Sequence, residues 1–220
     1  MNQLICVTKP PVIKAAIVGA IIAFLYGAIT WTVFPLWEGA YSSAPTEIDF
    51  ATPLKQLPGD GAYFVPGMDD EKWMELQAAG PSAELKAFEE EYAVRHRAGP
   101  TAMVIVRMQG SEPMPPSVFG YGIAIDFFIA LCLSWVMAQV GYTWPTENKS
   151  ESYLWLRRWR AGVVAVTAGV AAVHLNHWNW FGTPNIVAVT GFMENWSAWA
   201  LATMPMAIIL TRCTKDCSRM

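Results

Sequence analysis

The sequence predicts a mainly α membrane protein, with four transmembrane helices and a small α+β extracytoplasmic subdomain between helices 1 and 2. Three observations carry this. Four apolar stretches, Ala15–Trp37, Val118–Val140, Ala161–Phe181 and Ile186–Leu210, each reach the roughly 20 residues that a helix needs to cross a hydrocarbon core. The composition agrees: 54% apolar residues, 11 Trp in 220 and only 15% charged, against about 25% charged in ordinary soluble domains. The charges are also segregated. The tail to Lys14, the segment Gly141–Arg160 and the tail after Leu210 hold nine basic and three acidic residues, whereas Glu38–Ser117 holds six basic and thirteen acidic.

Under the positive-inside rule the basic segments stay in the cytoplasm. Residues 1–37 form a cytoplasmic tail and helix 1, 38–117 an acidic extracytoplasmic subdomain, and 118–220 helices 2–4. The last part includes a basic cytoplasmic loop 141–160 and a short outer loop 181–186. The expected location is the bacterial inner membrane, multi-pass, with both termini cytoplasmic. Ser42-Ser43-Ala44 has the small residues of a leader cleavage site. The preceding apolar run of about 22 residues exceeds the 7–15 of a leader, so helix 1 is read as retained.

Within the acidic segment, Glu47–Leu57 reads as a short helix or coil, Gly61–Pro66 as a strand ended by Pro-Gly, and Asp69–Ala79 and Ser82–Ala98 as helices with Ser82 an N-cap. Thr101–Met108 is a second strand, able to pair with the first across the helices between them. Glu89–Glu91 followed by Arg95, His96 and Arg97 reads as a solvated face with intrahelical ion pairs. So few apolar groups predict a lobe that packs on a membrane surface or a partner protein.

The spans carry small residues four apart: Gly19, Ala23 and Gly27 in the first, Ala161, Ala165 and Gly169 in the third. Such spacing lets membrane helices approach closely, so these are the expected packing faces. Trp31, Trp37, Trp144, Trp155, Trp159, Trp178 and Trp180 fall at the expected interfaces, where indole rings anchor. Cys6, Cys213 and Cys217 fall on the cytoplasmic side and Cys132 inside the second span, with none in the outer segment. No disulfide framework follows, and the thiols are expected reduced and unliganded.

Polar residues inside the spans are the functional leads, because an ionisable group in hydrocarbon is costly. Asp126, His174 and Glu194 each lie roughly 10–13 Å below the outer surface by helical rise. Together with His177 they are the candidate metal ligands, and His174, His177, Trp178 and Trp180 are the candidate cofactor-binding residues for a lipid, pigment or quinone at the outer leaflet. The competing account is structural: the carboxyls bond neighbouring helices and the imidazoles satisfy backbone carbonyls. Two His three apart with no second cluster is a weak metal pattern, and the structural account leads.

Trp31–Trp37 (WTVFPLW), Gly61–Gly67 (GAYFVPG) and His174–Asn185 (HLNHWNWFGTPN) together resemble motifs of a family of uncharacterised bacterial four-helix inner-membrane proteins. In that family a GxYxxP strand follows the first span and a WNWxxxP-like loop joins the last two. The charged helical insert after Gly67 is longer here. The resemblance implies the four-span topology and no known activity.

No catalytic motif, phosphate loop or nucleic-acid surface is present, so an enzyme is not the favoured class and nucleic acid is not an expected partner. The expected function is a noncatalytic accessory subunit of a larger membrane assembly, such as a respiratory or photosynthetic electron-transfer complex. Its partners would be membrane lipid, other integral membrane subunits and a basic soluble protein at the acidic lobe. The alternative is a small membrane redox, metal- or quinone-handling protein using His174, His177, Asp126 and Glu194.

Overall fold

A computed structural model describes residues 11–34, 39–140 and 151–212. The expectations for Cys6, Trp37, Trp144, Cys213, Cys217 and the first half of the basic loop lie outside the described residues. The chain is mostly helical, with a small two-stranded sheet. Its elements are α1 Val12–Thr32, α2 Ala51–Leu54, β1 Gly61–Val65, α3 Asp70–Ala79, α4 Ala83–Ala98, β2 Ala102–Val106, α5 Pro116–Gln139, α6 Glu151–Phe181 and α7 Asn185–Arg212. It divides into two compact units, one of residues 1–42, 113–179 and 183–220, the other of residues 43–112 and 180–182.

In the larger unit, α1 packs on α5 and α7. Facing pairs run in opposite order along each contact: Gly19 meets Met206 and Thr30 meets Glu194, while Gly162 meets Thr203 and His174 meets Asn195. α1 and α6 are therefore both antiparallel to α7.

The interior of this bundle combines many small side chains with Leu133, Met137, Val166, Trp199, Met206 and Leu210. Ala15, Ala16, Ala20 and Ala23 of α1, Ala130 and Ala138 of α5, and Ala202 and Ala207 of α7 are buried. The large aliphatic residues of α1 point outward, with Ile13, Ile17, Ile21, Leu25 and Ile29 between 46% and 64% exposed. A soluble helix does the reverse, since water penalises exposed apolar area by roughly 25 cal/mol per Å2.

Among the described residues, α1 and α5 are the two helices long and apolar enough to cross a membrane. The sequence leads to an expectation of four. α6 and α7 have the length, but α6 includes Arg157, Arg158, Arg160, His174, Asn176 and His177, and α7 includes Glu194 and Asn195. α6 also begins at Glu151, inside the segment expected to be a loop, and so carries the basic residues 157–160 on a helix.

In the smaller unit, β1 and β2 pair antiparallel from Gly61 opposite Val106 to Val65 opposite Ala102. The Asp60 carboxylate accepts from the Met108 N–H at 2.6 Å, closing the open end of the ladder. Asp69 caps α3 by accepting from Lys72 N at 3.0 Å, and Ser82 caps α4 by accepting from Leu85 N at 3.0 Å, satisfying N–H groups that a helix start leaves orphaned. Gly80 and Gly99 end these helices at φ of 90° and 62°, a region that costs other residues a Cβ clash. The ion pair on α4 joins Glu90 to Arg97, two turns apart on an exposed face. Leu76 is the one buried hydrophobic residue among those described between 43 and 112, and α4 has none.

Candidate functional site

The polar side chains at one end of the bundle are sorted by α7. Successive helical residues project about 100° apart, so Glu194 and Asn195 face different neighbours. Glu194, 8% exposed, faces α1, where its carboxylate accepts from the Thr30 hydroxyl at 3.2 Å and has Trp31 as a second hydrogen-bonding neighbour. One turn along, Tyr26 and Ser197 hydroxyls lie 2.6 Å apart and Ser197 also donates to the Met193 carbonyl at 2.7 Å. This is a two-rung polar ladder between α1 and α7.

Asn195 faces α6 instead. Its amide nitrogen donates to the Gly191 carbonyl at 3.0 Å and lies 3.2 Å from His174 Nε2. The imidazole sits directly on Gly191: a Cβ there would lie 2.5 Å from Cε1 and 2.8 Å from Nδ1 of His174. Gly191 is thus what admits the ring, and nothing in its sequence neighbourhood singles it out.

His174 and Asn195 also line a cleft of about 460 Å3 with Ile129 and Leu133 of α5, Ala165, Val166, Gly169, Val170 and Val173 of α6, and Trp199 of α7. A second cleft of about 510 Å3 lies between the start of α7 and Leu175 and Trp178 of α6. There the Trp178 indole donates to Asn185 Oδ1 at 2.7 Å.

The candidate ligand set is not brought together. His174 and Glu194 belong to different contacts, Asp126 is half-buried on α5 with no hydrogen bond or ion pair among the described residues, and His177 is exposed. No three His, Cys, Asp or Glu side chains among the described residues are grouped to hold a metal ion. Trp180 is 73% exposed.

The packing faces are partly those expected. On α1, Gly19 lies against Met206 and Ala23 is buried, while Gly27 has open space around it. On α6 the close approach is made at Gly162, where a Cβ would lie 2.9 Å from both Met137 Sδ and Thr203 Cγ2. Ala161 is only half-buried, and Ala165 and Gly169 open onto the cleft, so the tight face is displaced by one residue.

Arg158 belongs by sequence with the cytoplasmic charges, and the structure buries it to 2% exposure. Its guanidinium donates to the Leu210 carbonyl and to the Thr211 hydroxyl at 3.4 Å. A cation against the last carbonyls of a helix is favourable because those groups lack intrahelical donors and carry the negative end of the dipole. Trp155 and Trp159 beside it stack with ring centres 6.2 Å apart, both half-buried. The helical interval from Trp155 through Arg158 and Gly162 to Val166 is the sequence signal for this face.

Compared with known proteins, the chain matches no family model, no curated protein and no solved structure. The short family-like motifs therefore assign neither a family nor an activity.

Proposed function

We propose that the chain is a multi-pass membrane protein whose four long helices cross the bilayer, and that it serves as a noncatalytic accessory subunit of a larger membrane assembly, such as an electron-transfer complex. The observation that carries the membrane reading is the inverted core. On α1, Ala15, Ala16, Gly19, Ala20 and Ala23 face inward while Ile13, Ile17, Ile21, Leu25 and Ile29 face outward, the arrangement that suits a helix whose solvent is lipid. Only 28% of the most apolar stretch of α1 and 22% of that of α5 are buried, so neither is enclosed as the core helix of a soluble protein is. The buried face of α1 meets α5 and α7, which favours a retained span over a cleaved leader.

The antiparallel order puts the start of α1, the end of α5, the start of α6 and the end of α7 at one end of the bundle. That order agrees with the segregation of basic residues into the flanking segments, and it is on this segregation that cytoplasmic termini in a bacterial inner membrane are proposed. The accessory reading is supported by the acidic lobe of residues 43–112. A unit with Leu76 as its buried hydrophobic residue leaves β2 Ile105 76% exposed and α3 Met74 58% exposed, surface suited to another protein, and its acidic balance suits a basic partner. The alternative, redox or metal handling by His174, His177, Asp126 and Glu194, draws no support from side chains that are not grouped.

The test is extraction of the tagged full chain from its own membranes in a mild detergent. A stoichiometric integral-membrane partner is expected. A monodisperse monomer with no companion subunit would remove the accessory reading.

A further inference from the structure

The cleft between α5, α6 and α7 has no part in an accessory role. Its volume of about 460 Å3 is within the range of roughly 300–1,000 Å3 typical of small-molecule sites. The lining side chains are aliphatic apart from Trp199 and the polar pair His174 and Asn195, and no Asp, Glu, Lys or Arg is among them. From His174 the α6 wall runs nine residues down to Ala165, about 14 Å of helix. The site is therefore an apolar cleft with a polar end that holds no Asp, Glu, Lys or Arg.

The hydrogen-bonding state of that end follows by elimination. A backbone carbonyl only accepts, so the Asn195 atom 3.0 Å from Gly191 O is the amide nitrogen. That nitrogen only donates, so His174 Nε2, 3.2 Å from it, accepts and carries no proton, and the ring proton is on Nδ1. Asn195 Oδ1 then stands as an acceptor without a partner among the described residues, while the Cε1–Nδ1 edge of His174 lies against Gly191. A lining without a cationic side chain does not suit a phosphate head. An open acceptor suits a head group that donates, which a hydroxyl does and an ester or ketone oxygen does not.

We infer that this cleft binds a lipid-phase molecule with an apolar body and an uncharged hydroxyl head, the head at His174 and Asn195 and the body along Ala165 and Gly169 against Leu133. A long-chain alcohol and a chain-bearing hydroquinone share this chemistry. The inference rests on the membrane placement proposed above and is independent of any partner subunit. Alkaline carbonate extraction tests the placement separately: release of the chain would overturn it, and with it the route of a lipid-phase ligand.

The binding test uses the full chain in phosphatidylcholine nanodiscs with a diazirine-bearing hexadecanol and the matching diazirine alkane. The alcohol should label α5 and α6 peptides around Leu133 and Gly169 saturably, and the alkane should label without saturation. Gly169 lines the cleft and has nothing within 4 Å of its Cβ position, so Gly169→Leu starts a side chain in open space and should abolish saturable labelling while the helical circular dichroism spectrum is kept. Asn195→Leu should raise the half-saturating concentration about tenfold, the loss of roughly one hydrogen bond. Displacement by either decyl hydroquinone or hexadecanol supports the site, and the stronger competitor identifies the source. Equal labelling by alcohol and alkane, or unchanged saturable labelling in a folded Gly169→Leu protein, would overturn the inference.

Discussion

Thr30 of α1 and Glu194 of α7 are 164 residues apart in the chain and 3.2 Å apart in space, one of two hydrogen-bonded rungs that tie the first long helix to the last. Both are buried, Thr30 at 5% and Glu194 at 8% exposure. The Thr30 hydroxyl is also 3.0 Å from the Gly27 carbonyl, so its proton is shared between its own helix and the neighbouring carboxylate. In low-dielectric surroundings the acceptor is costly to leave short of a donor.

Thr30→Val keeps the shape and removes the donor. It should lower the unfolding free energy by about 1–3 kcal/mol, the usual cost of stranding a buried polar group. Adding Glu194→Leu should recover part of that loss, giving a coupling of roughly 0.5–3 kcal/mol. Denaturant unfolding of the four members of the cycle in detergent micelles measures it, and strictly additive costs would contradict the contact.

The α6 packing register is tested by two glycines one heptad apart. Gly162→Ala places a methyl 2.9 Å from Met137 and Thr203 and should destabilise by about 1–3 kcal/mol through overpacking. Gly169→Ala enters open space and should be neutral or stabilising by up to about 1 kcal/mol through helix propensity. Thermal unfolding of the two variants side by side gives the order, and equal effects would refute the register.

Arg158→Met removes the donor to Leu210 O at the end of α7 while keeping most of the side-chain volume. The last turn should fray, at a cost of about 2 kcal/mol, and amides of residues 207–211 should exchange faster than those in the middle of the helix. Arg158→Lys should fall between the two, because an ammonium keeps the charge and loses the planar fork. Unchanged exchange in Arg158→Met would rule out the capping role.

Asp49 gives a pH-dependent element outside the bundle. The Thr52 side chain, the Thr52 N–H at 3.1 Å and the Ala51 N–H at 2.9 Å hold its carboxyl below the ordinary aspartate value. A depressed folded-state value means that the contribution to α2 is fully present above the unfolded-state titration near pH ~3.9 and is lost as pH falls through the folded-state value. An NMR titration of the Asp49 carboxyl carbon should show a midpoint below that of an unstructured aspartate. In Asp49→Asn the side-chain oxygen still accepts, so α2 should persist while losing its acid sensitivity.

Much of the smaller unit is legible in the sequence because its signals are local. Ser82 and Asp69 precede helices whose first N–H groups need an acceptor, and the run after Thr101 is apolar and β-branched. The pairing of β1 with β2 across two intervening helices follows once both are recognised. What the sequence does not show is how completely α4 lies on the surface: Val94, at a core-like helical position, is 52% exposed. Spacing names a face and does not say whether anything covers it.

In the bundle the sequence by itself determined which segments are apolar, where basic residues cluster, and that Asp126, His174 and Glu194 are exceptional among them. Only the tertiary structure decided which neighbour each one meets. Glu194 turns to Thr30 and Asn195 to His174, Gly162 takes the close contact in place of Ala161, and Arg158 turns inward to the end of α7. The physical reason is that a helix such as α1, with Ala and Gly inside and Ile and Leu outside, carries no inward-facing stripe of large apolar residues. If the helices lie in lipid as proposed, lipid and core are equally apolar, and orientation is set by where small residues let backbones approach and where buried polar groups find partners. Those are properties of pairs of helices, and a single stretch of sequence holds only one half of each.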